Sequence, residues 1–297
     1  ARRVAELHWG GGTPNILRAE EFTRALHHLA FWFDFDRPLA HSIEIDPRHL
    51  TSELAECYAR AGVSRASLGV QTFEPHVQQA MGRVQPLEQV RQAVDMLRAA
   101  GIAQLNFDLM YGLPHQSVDD LLHSLRQAID LDPDRIALFG YAHVPWLKRR
   151  QRVIDEHALP DGEMRFDQAQ AARAALSTRG YVAVGLDHYA KASDALASAA
   201  RKKTLRRTFQ GYIASSADAI LGFNERVTLS PARVPAPVYE VMAAVGQHKT
   251  LRNILEHCAL QIYLREVRSR SRDSFSQLFL IGVVRLTERV SVSILTV

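Results

Sequence analysis

Val4-Ala5-Glu6-Leu7-His8-Trp9-Gly10-Gly11-Gly12-Thr13-Pro14 runs from an apolar, strand-like segment straight into three glycines. Glycines at a strand end let the backbone turn sharply and approach a ligand that any Cβ would hold off. Taken alone, such a turn serves equally well as a plain strand-to-helix connector. The remaining sequence decides between the two.

Further apolar runs rich in Val, Ile, Leu and Phe recur near residues 41–46, 64–70, 102–110 and 135–142. Helical patterns separate them. Phe22, Leu26, Leu29 and Phe33 fall at helical spacing, and so do Leu87, Val90, Val94 and Leu97, between Pro86 and Gly101. Ser117 and Asp120 form a capping-box pattern ahead of Leu121, Leu122 and Leu125. A helix over about 163–179, ended by Gly180, leads into the strand-like Tyr181 to His188. Strands alternating with helices predict an α/β fold built on a parallel sheet or barrel. Six strands are fewer than the eight of a closed barrel, so an incomplete parallel (β/α) barrel is expected. The chemistry of such folds collects at the C-terminal strand ends. Polar residues recur there: Gly10 to Thr13, Glu44 and Asp46, Gln71, Asp108 to Pro114, and Tyr141-Ala142-His143.

Composition narrows the class. A 47% hydrophobic and 23% charged chain of 297 residues can bury a substantial core. No run reaches the length of a membrane span, and no signal-peptide pattern opens the sequence, so a cytoplasmic protein without membrane partners is expected. Ala1 enters a strand directly, which reads as an N-terminal truncation. The formal net charge is +4, and from Lys249 onward eight Lys/Arg stand against four Asp/Glu, which accounts for all of it. No basic stripe interleaved with aromatics is present, so no nucleic-acid partner is expected. Cys57 and Cys258 lie 201 residues apart, in neither a metal-ligand spacing nor a disulfide framework. No metal-ligating residue is assigned, and Cys57 reads as a small buried hydrophobe in a helix.

In Ser42-Ile43-Glu44-Ile45-Asp46, alternation puts the polar residues on one face and the isoleucines on the other. A carboxylate facing inward needs a cationic or hydroxylic partner. An ammonium or ribose ligand meets that need, and so does a core arginine. Asp108 follows the same logic. Arg83 by itself reads as a solvated arginine, and His143 and His188 as hydrogen-bonded structural histidines. The run Arg201, Lys202, Lys203, Arg206 and Arg207 reads as a wet helix face, or as a receptor for acidic groups.

Seven ordered segments carry a resemblance: His8 to Pro14, Ser42 to Arg48, Ser67 to Phe73, Asp108 to Pro114, Tyr141 to Pro145, Leu186 to Ala190 and Phe209 to Tyr212. Over about residues 3–222 the chain resembles the oxygen-independent coproporphyrinogen III oxidases, radical S-adenosylmethionine enzymes of haem biosynthesis. The resemblance implies S-adenosylmethionine and a [4Fe-4S] cluster as cofactors, and coproporphyrinogen III as substrate. Two propionates would be oxidatively decarboxylated to vinyl groups, giving protoporphyrinogen IX, with an unidentified electron donor as a further partner. Carried over by motif position, Gly11, Gly12 and Thr13 contact S-adenosylmethionine, and Glu44, Gln71, Arg83, Asp108 and Ala142 complete the cofactor sites. No catalytic residue is assigned. The resemblance places the first barrel strand and the cluster loop outside this chain.

A related haem-chaperone-like branch, which holds haem or porphyrin without decarboxylating it, shares the glycine turn and the Tyr-Gly-Leu-Pro segment. Tyr141-Ala142-His143-Val144-Pro145 and Asp187-His188-Tyr189 favour the oxidase. An unrelated barrel enzyme of phosphate-bearing substrates would explain the glycine turn, but Glu44 and Asp108 would repel a phosphate.

Two departures bear on activity. The family's Cys-x-x-x-Cys-x-x-Cys cluster motif is not in this sequence, and iron–sulfur ligation needs thiolates. After Gly222 the resemblance ends. The expectation is a partial barrel domain over 1–222, followed by a divergent segment over 223–297 that is foreign or poorly folded, and a chain that is inactive as given. The apolar run Leu278 to Val284 is an aggregation hazard if exposed.

Overall fold

The computed structural model describes residues 2–10, 13–208, 211–214, 219–224, 259–263 and 290–295. Gly11, Gly12, Leu278 to Val284 and most of the segment after Asn224 lie outside the described residues. The chain divides into two compact units, one comprising 1–44, 57–64 and 215–297, the other 45–56 and 65–214.

In the first unit, β1 (Arg2–Gly10) is followed by α1 (Ala19–Trp32) and β2 (Phe33–Ile45). Alternation along β1 buries Val4, Leu7 and Trp9. α1 starts at Arg18, whose amide donates to the Glu21 carboxylate at 3.0 Å, and buries Phe22 and Leu29. Phe33, expected on the helix, is instead the first residue of β2 and caps the helix with its amide on the Leu29 carbonyl. β1 and β2 pair in parallel, with His8 opposite Ser42. Three later strands complete this sheet: Val290–Leu295 pairs in parallel with β1, Ala219–Asn224 in parallel with Val290–Leu295, and Ala259–Tyr263 antiparallel to Ala219–Asn224.

Trp9 anchors the core of this unit. Its ring centroid lies 4.4 Å from that of Phe22, which is 4.8 Å from that of Tyr58 in an edge-on contact. Tyr58 and Cys57 come from α2 (Ser52–Arg60), and Cys57 is a buried free thiol, as expected for a small hydrophobe. Trp9 Nε1 donates to His41 Nε2 at 2.8 Å, and His41 Nδ1 faces the Ala61 carbonyl at 3.2 Å. That pairing requires the neutral tautomer with its proton on Nδ1. Burial, only partly opposed by the Ala61 carbonyl and assisted by nearby His8, pushes the His41 pKa down to about 4.

The consequence for stability has a definite sign. The unfolded chain binds the proton with a pKa near 6.5, so stability is full above that pH and falls as the pH drops toward the folded value of about 4. The limiting loss from this one group is about 3 kcal/mol. Urea unfolding of the native chain and a His41→Gln variant across this range is expected to show a steeper acid decline in the native chain. Parallel profiles would rule the assignment out.

In the second unit β3 (Arg65–Gln71) alternates buried and half-buried residues and is followed by the short α3 (Pro75–Ala80) and by α4 (Leu87–Ala99). Then come β4 (Gln104–Tyr111), α5 (Val118–Asp130), β5 (Arg135–Gly140) and α6 (Gly162–Thr178). β3, β4 and β5 pair in parallel. The Ser117 capping box forms in both directions, with Asp120 N to Ser117 Oγ at 3.1 Å and Ser117 N to Asp120 Oδ2 at 2.8 Å. α6 is fastened to the end of β4 by buried Gln168, which accepts from Gly112 N at 2.9 Å and donates to the Gln116 carbonyl at 2.7 Å.

The expected sixth strand is corrected. Tyr181 to His188 is not one strand but the start of a hairpin, β6 (Tyr181–Val184) and β7 (His188–Lys191), with β7 antiparallel to both β6 and β5. Gly185 makes the reversal at φ +66, a backbone state glycine reaches without strain. α7 (Ala195–Arg201) and the small pair β8 (Arg206–Thr208) and β9 (Gly211–Ile213) follow. The fold is therefore α/β with a mixed, mainly parallel sheet. Among the described residues no helix is long and apolar enough to cross a membrane.

Candidate functional site

In the first unit the end of β1 and the end of β2 bring three side chains to Gly10. His8 bridges two neighbours on β2, with Nδ1 2.8 Å from Ser42 Oγ and Nε2 3.2 Å from Glu44 Oε1. The Glu44 side chain is 39% exposed, so it is not sealed in the core. A Cβ built on Gly10 would meet Glu44 Oε1 at 2.6 Å and His8 Nε2 at 2.5 Å. The glycine thus leaves the room in which the carboxylate stands. Thr13 follows at φ −133 and ψ 80, ahead of a short 3-10 turn (Pro14–Ile16), and its side chain makes no capping bond.

In the second unit the residues just after β2 and Arg83, which follows α3, form a charged cluster. Asp46 accepts from Arg48 through Nε at 2.9 Å and Nη2 at 2.6 Å, and Arg83 Nη2 lies 3.6 Å from the same carboxylate. Burial alone would raise the Asp46 carboxyl. The Arg48 hydrogen bonds and the charge of Arg83 outweigh it and hold the group below the usual carboxylate range. Arg83 is not the solvated arginine its sequence context suggested. Its guanidinium donates to the Gly69 carbonyl at 3.0 Å, and burial lowers its pKa despite Asp46. Its Nε is buried and has no hydrogen-bond partner among the described residues. Gln71, one residue past a register shift between Gly69 and Gln71, adopts φ 70. That left-handed backbone is uncommon outside glycine and clusters at functional positions.

Asp108 lies on β4 in a small network. Asn106 Nδ2 donates to Asp108 Oδ1 at 2.8 Å and to Ser67 Oγ at 2.7 Å, while Ser67 Oγ donates to Asp108 Oδ2 at 3.1 Å. Ala142 lies in the loop after β5, and its carbonyl accepts from Gln151 Nε2 at 3.0 Å. His143 is held between Tyr141 and Glu156, and His188 against Asp187 at 2.6 Å. Both histidines are hydrogen-bonded, in keeping with a structural role. The basic run Arg201 to Arg207 is exposed.

The donor sets differ in what they suit. A carboxylate beside a glycine-lined strand end is an acceptor for an ammonium group, and the Asp108 network for hydroxyls or amines. Iron–sulfur ligation needs thiolates, and the sequence holds two cysteines, Cys57 and Cys258. The cluster of potential metal ligands found among the described residues, Glu74, His76 and Asp120, offers one imidazole and two carboxylates. Sequence reasoning missed two participants. His8 stands directly before Trp-Gly, so its place on a strand end was readable. Arg48, two residues from Asp46 across a proline, had no periodicity to mark it.

Comparison with known proteins bears on these groups. Residues 1–128 match the family model of the radical SAM superfamily. The chain is 50% identical over 222 residues to an oxygen-independent coproporphyrinogen III oxidase of Bradyrhizobium diazoefficiens, covering 74% of this chain and 49% of that protein. It is 40% identical over 246 residues to the enzyme of the same name from Paracoccus denitrificans, covering 83% and 54%. Among solved structures it is similar to the coproporphyrinogen III oxidase of Escherichia coli, a radical SAM enzyme, with a TM-score of 0.71, 36% identity, and coverage of 73% of this chain and 50% of that one. The chain spans about half the length of the curated relatives it matches.

Proposed function

We propose, because this chain belongs to the radical S-adenosylmethionine family and is a homologue of the oxygen-independent coproporphyrinogen III oxidases, that it carries S-adenosylmethionine-binding machinery for oxidative decarboxylation of coproporphyrinogen III. The observation that supports this most directly is the Gly10–Glu44–His8 arrangement. Its carboxylate stands where only a glycine leaves room, with chemistry suited to the ammonium of the methionine moiety.

S-adenosylmethionine, when bound and reduced, supplies hydrogen-atom abstraction at a substrate propionate. What this chain's own residues do is bind and orient. Glu44 accepts from the ammonium, and His8, itself held by Ser42, fixes the rotamer of Glu44. Thr13 would present its hydroxyl, and Gly11 and Gly12 are carried in this reading as cofactor contacts by their motif position. In the second unit Asp108, fixed by Ser67 and Asn106, accepts from amine or hydroxyl groups. Gln71 and Arg83 offer donors at the end of β3, and Ala142 belongs to the same set of cofactor contacts. The incomplete (β/α) barrel, with a partial barrel domain over 1–222, is part of this reading. The [4Fe-4S] cluster does not fit residues of this chain, so reductive cleavage of S-adenosylmethionine by this polypeptide alone is not expected.

Calorimetric titration of the chain with S-adenosylmethionine tests the reading. Binding is expected, and Glu44→Ala and Asp108→Ala should each weaken it about tenfold or more, as loss of a charge-assisted hydrogen bond predicts. Absence of binding by the native chain, or unchanged affinity in both variants, would sink it.

A further inference from the structure

The mechanism above leaves unused a cation at the ends of β4 and β5. Arg165, on the first turn of α6, lays its guanidinium against two glycines. A Cβ on Gly112 would lie 3.1 Å from Arg165 Cζ and 3.2 Å from Nη1, and one on Gly140 would lie 3.2 Å from Nη2. Gly112 follows β4 and Gly140 ends β5, and a side chain at either position would press on the guanidinium at 3.1–3.2 Å. Tyr111 completes the niche: its hydroxyl lies 3.0 Å from the Gly140 Cβ position, and Arg165 Cζ is 6.0 Å from its ring centroid.

This arginine is half-buried, yet among the described residues no carboxylate pairs with it. Arginines so placed usually are paired, because desolvating a charge without a partner is costly. Arg135 on the same sheet shows the ordinary pattern, with Asp194 Oδ2 at 2.8 Å from its Nε. A planar guanidinium held over a tyrosine ring and backed by glycines presents its free edge as a fork that matches a carboxylate.

We propose that Arg165, with the Tyr111 hydroxyl beside it, seats a carboxylate of the substrate. The inference rests on the reading of the chain as a coproporphyrinogen-binding protein, since that tetrapyrrole carries four propionates and the carboxylate is the group by which Arg165 would recognise it. Arg165 acts here as a binding residue, with no part in bond breaking.

The probes are coproporphyrin III, the stable oxidised form with its four propionates intact, and its neutral tetramethyl ester, each titrated by fluorescence in the same detergent buffer. The native chain is expected to bind the acid more tightly than the ester. Arg165→Ala should weaken the acid about ten- to hundredfold and leave the ester unchanged, and Arg165→Lys should recover part of the loss. S-adenosylmethionine affinity and thermal midpoint should be those of the native chain in both variants, which separates a lost contact from a damaged fold. Equal affinity of native chain and Arg165→Ala for the acid overturns the assignment of Arg165 alone. Failure of the native chain to bind either porphyrin overturns the substrate reading and the assignment with it.

Discussion

Trp9→Ala is expected to destabilise the chain by about 4 kcal/mol, the upper range for truncating a buried aromatic. The indole is 1% exposed and its ring packs on Phe22, which in turn meets Tyr58 edge-on. Removing it opens a cavity between a central strand and the Phe22 face of α1. It also strips His41 Nε2 of its donor, so an acceptor is left buried and unpaired, which accounts for about 1–3 kcal/mol of that total. Trp9→Phe separates the two contributions. It keeps most of the apolar area and loses only the hydrogen bond, so its loss should be about half that of Trp9→Ala. Urea unfolding followed by circular dichroism at neutral pH measures both. A loss below about 1 kcal/mol for Trp9→Ala would mean that Trp9 is not the keystone of the first unit.

The position of Trp9 was legible in the sequence, because strand alternation from Val4 through Leu7 to Trp9 puts all three on one face. The same period-two pattern placed Ile43 and Ile45 inside, at 0% and 3% exposure, and Ser42 and Glu44 opposite them. Helices were legible where punctuation was strong, as at Pro86 for α4 and Ser117 with Asp120 for α5. The hairpin at Gly185 was not, since an apolar run of eight residues reads as one strand unless the positive φ of its glycine is known in advance. Nor does local patterning reveal pairing across distance. Glu44 was expected to meet an ammonium or ribose ligand, or else a core arginine; the structure also sets His8 against it, 36 residues earlier on the neighbouring strand. Arg83 looked solvated because nothing nearby in sequence says that a carbonyl at Gly69 and a carboxylate at Asp46 await it. Arg165 was invisible for the same reason, its surroundings being two glycines at the ends of β4 and β5.

Gly10→Ala is expected to leave the fold nearly intact and to abolish most cofactor affinity. The added Cβ would fall 2.6 Å from Glu44 Oε1, 2.7 Å from its Cδ and 2.5 Å from His8 Nε2. All three are at the far ends of side chains that are 39% and 24% exposed, so relief comes from swinging them away rather than from moving the strand. Alanine also suits the strand backbone at least as well as glycine does, which limits the stability change to less than about 1 kcal/mol. The carboxylate, however, leaves the place in which the proposed reading has it meet the ammonium of S-adenosylmethionine. Affinity for S-adenosylmethionine should fall about ten- to hundredfold, by the worth of one charge-assisted hydrogen bond. If the methyl acts only through Glu44, the double variant Gly10→Ala with Glu44→Ala binds no more weakly than either single one, because both remove the same contact. Additive losses in that cycle would show instead that the glycine contributes its own backbone contact to the ligand and that Glu44 is a separate one.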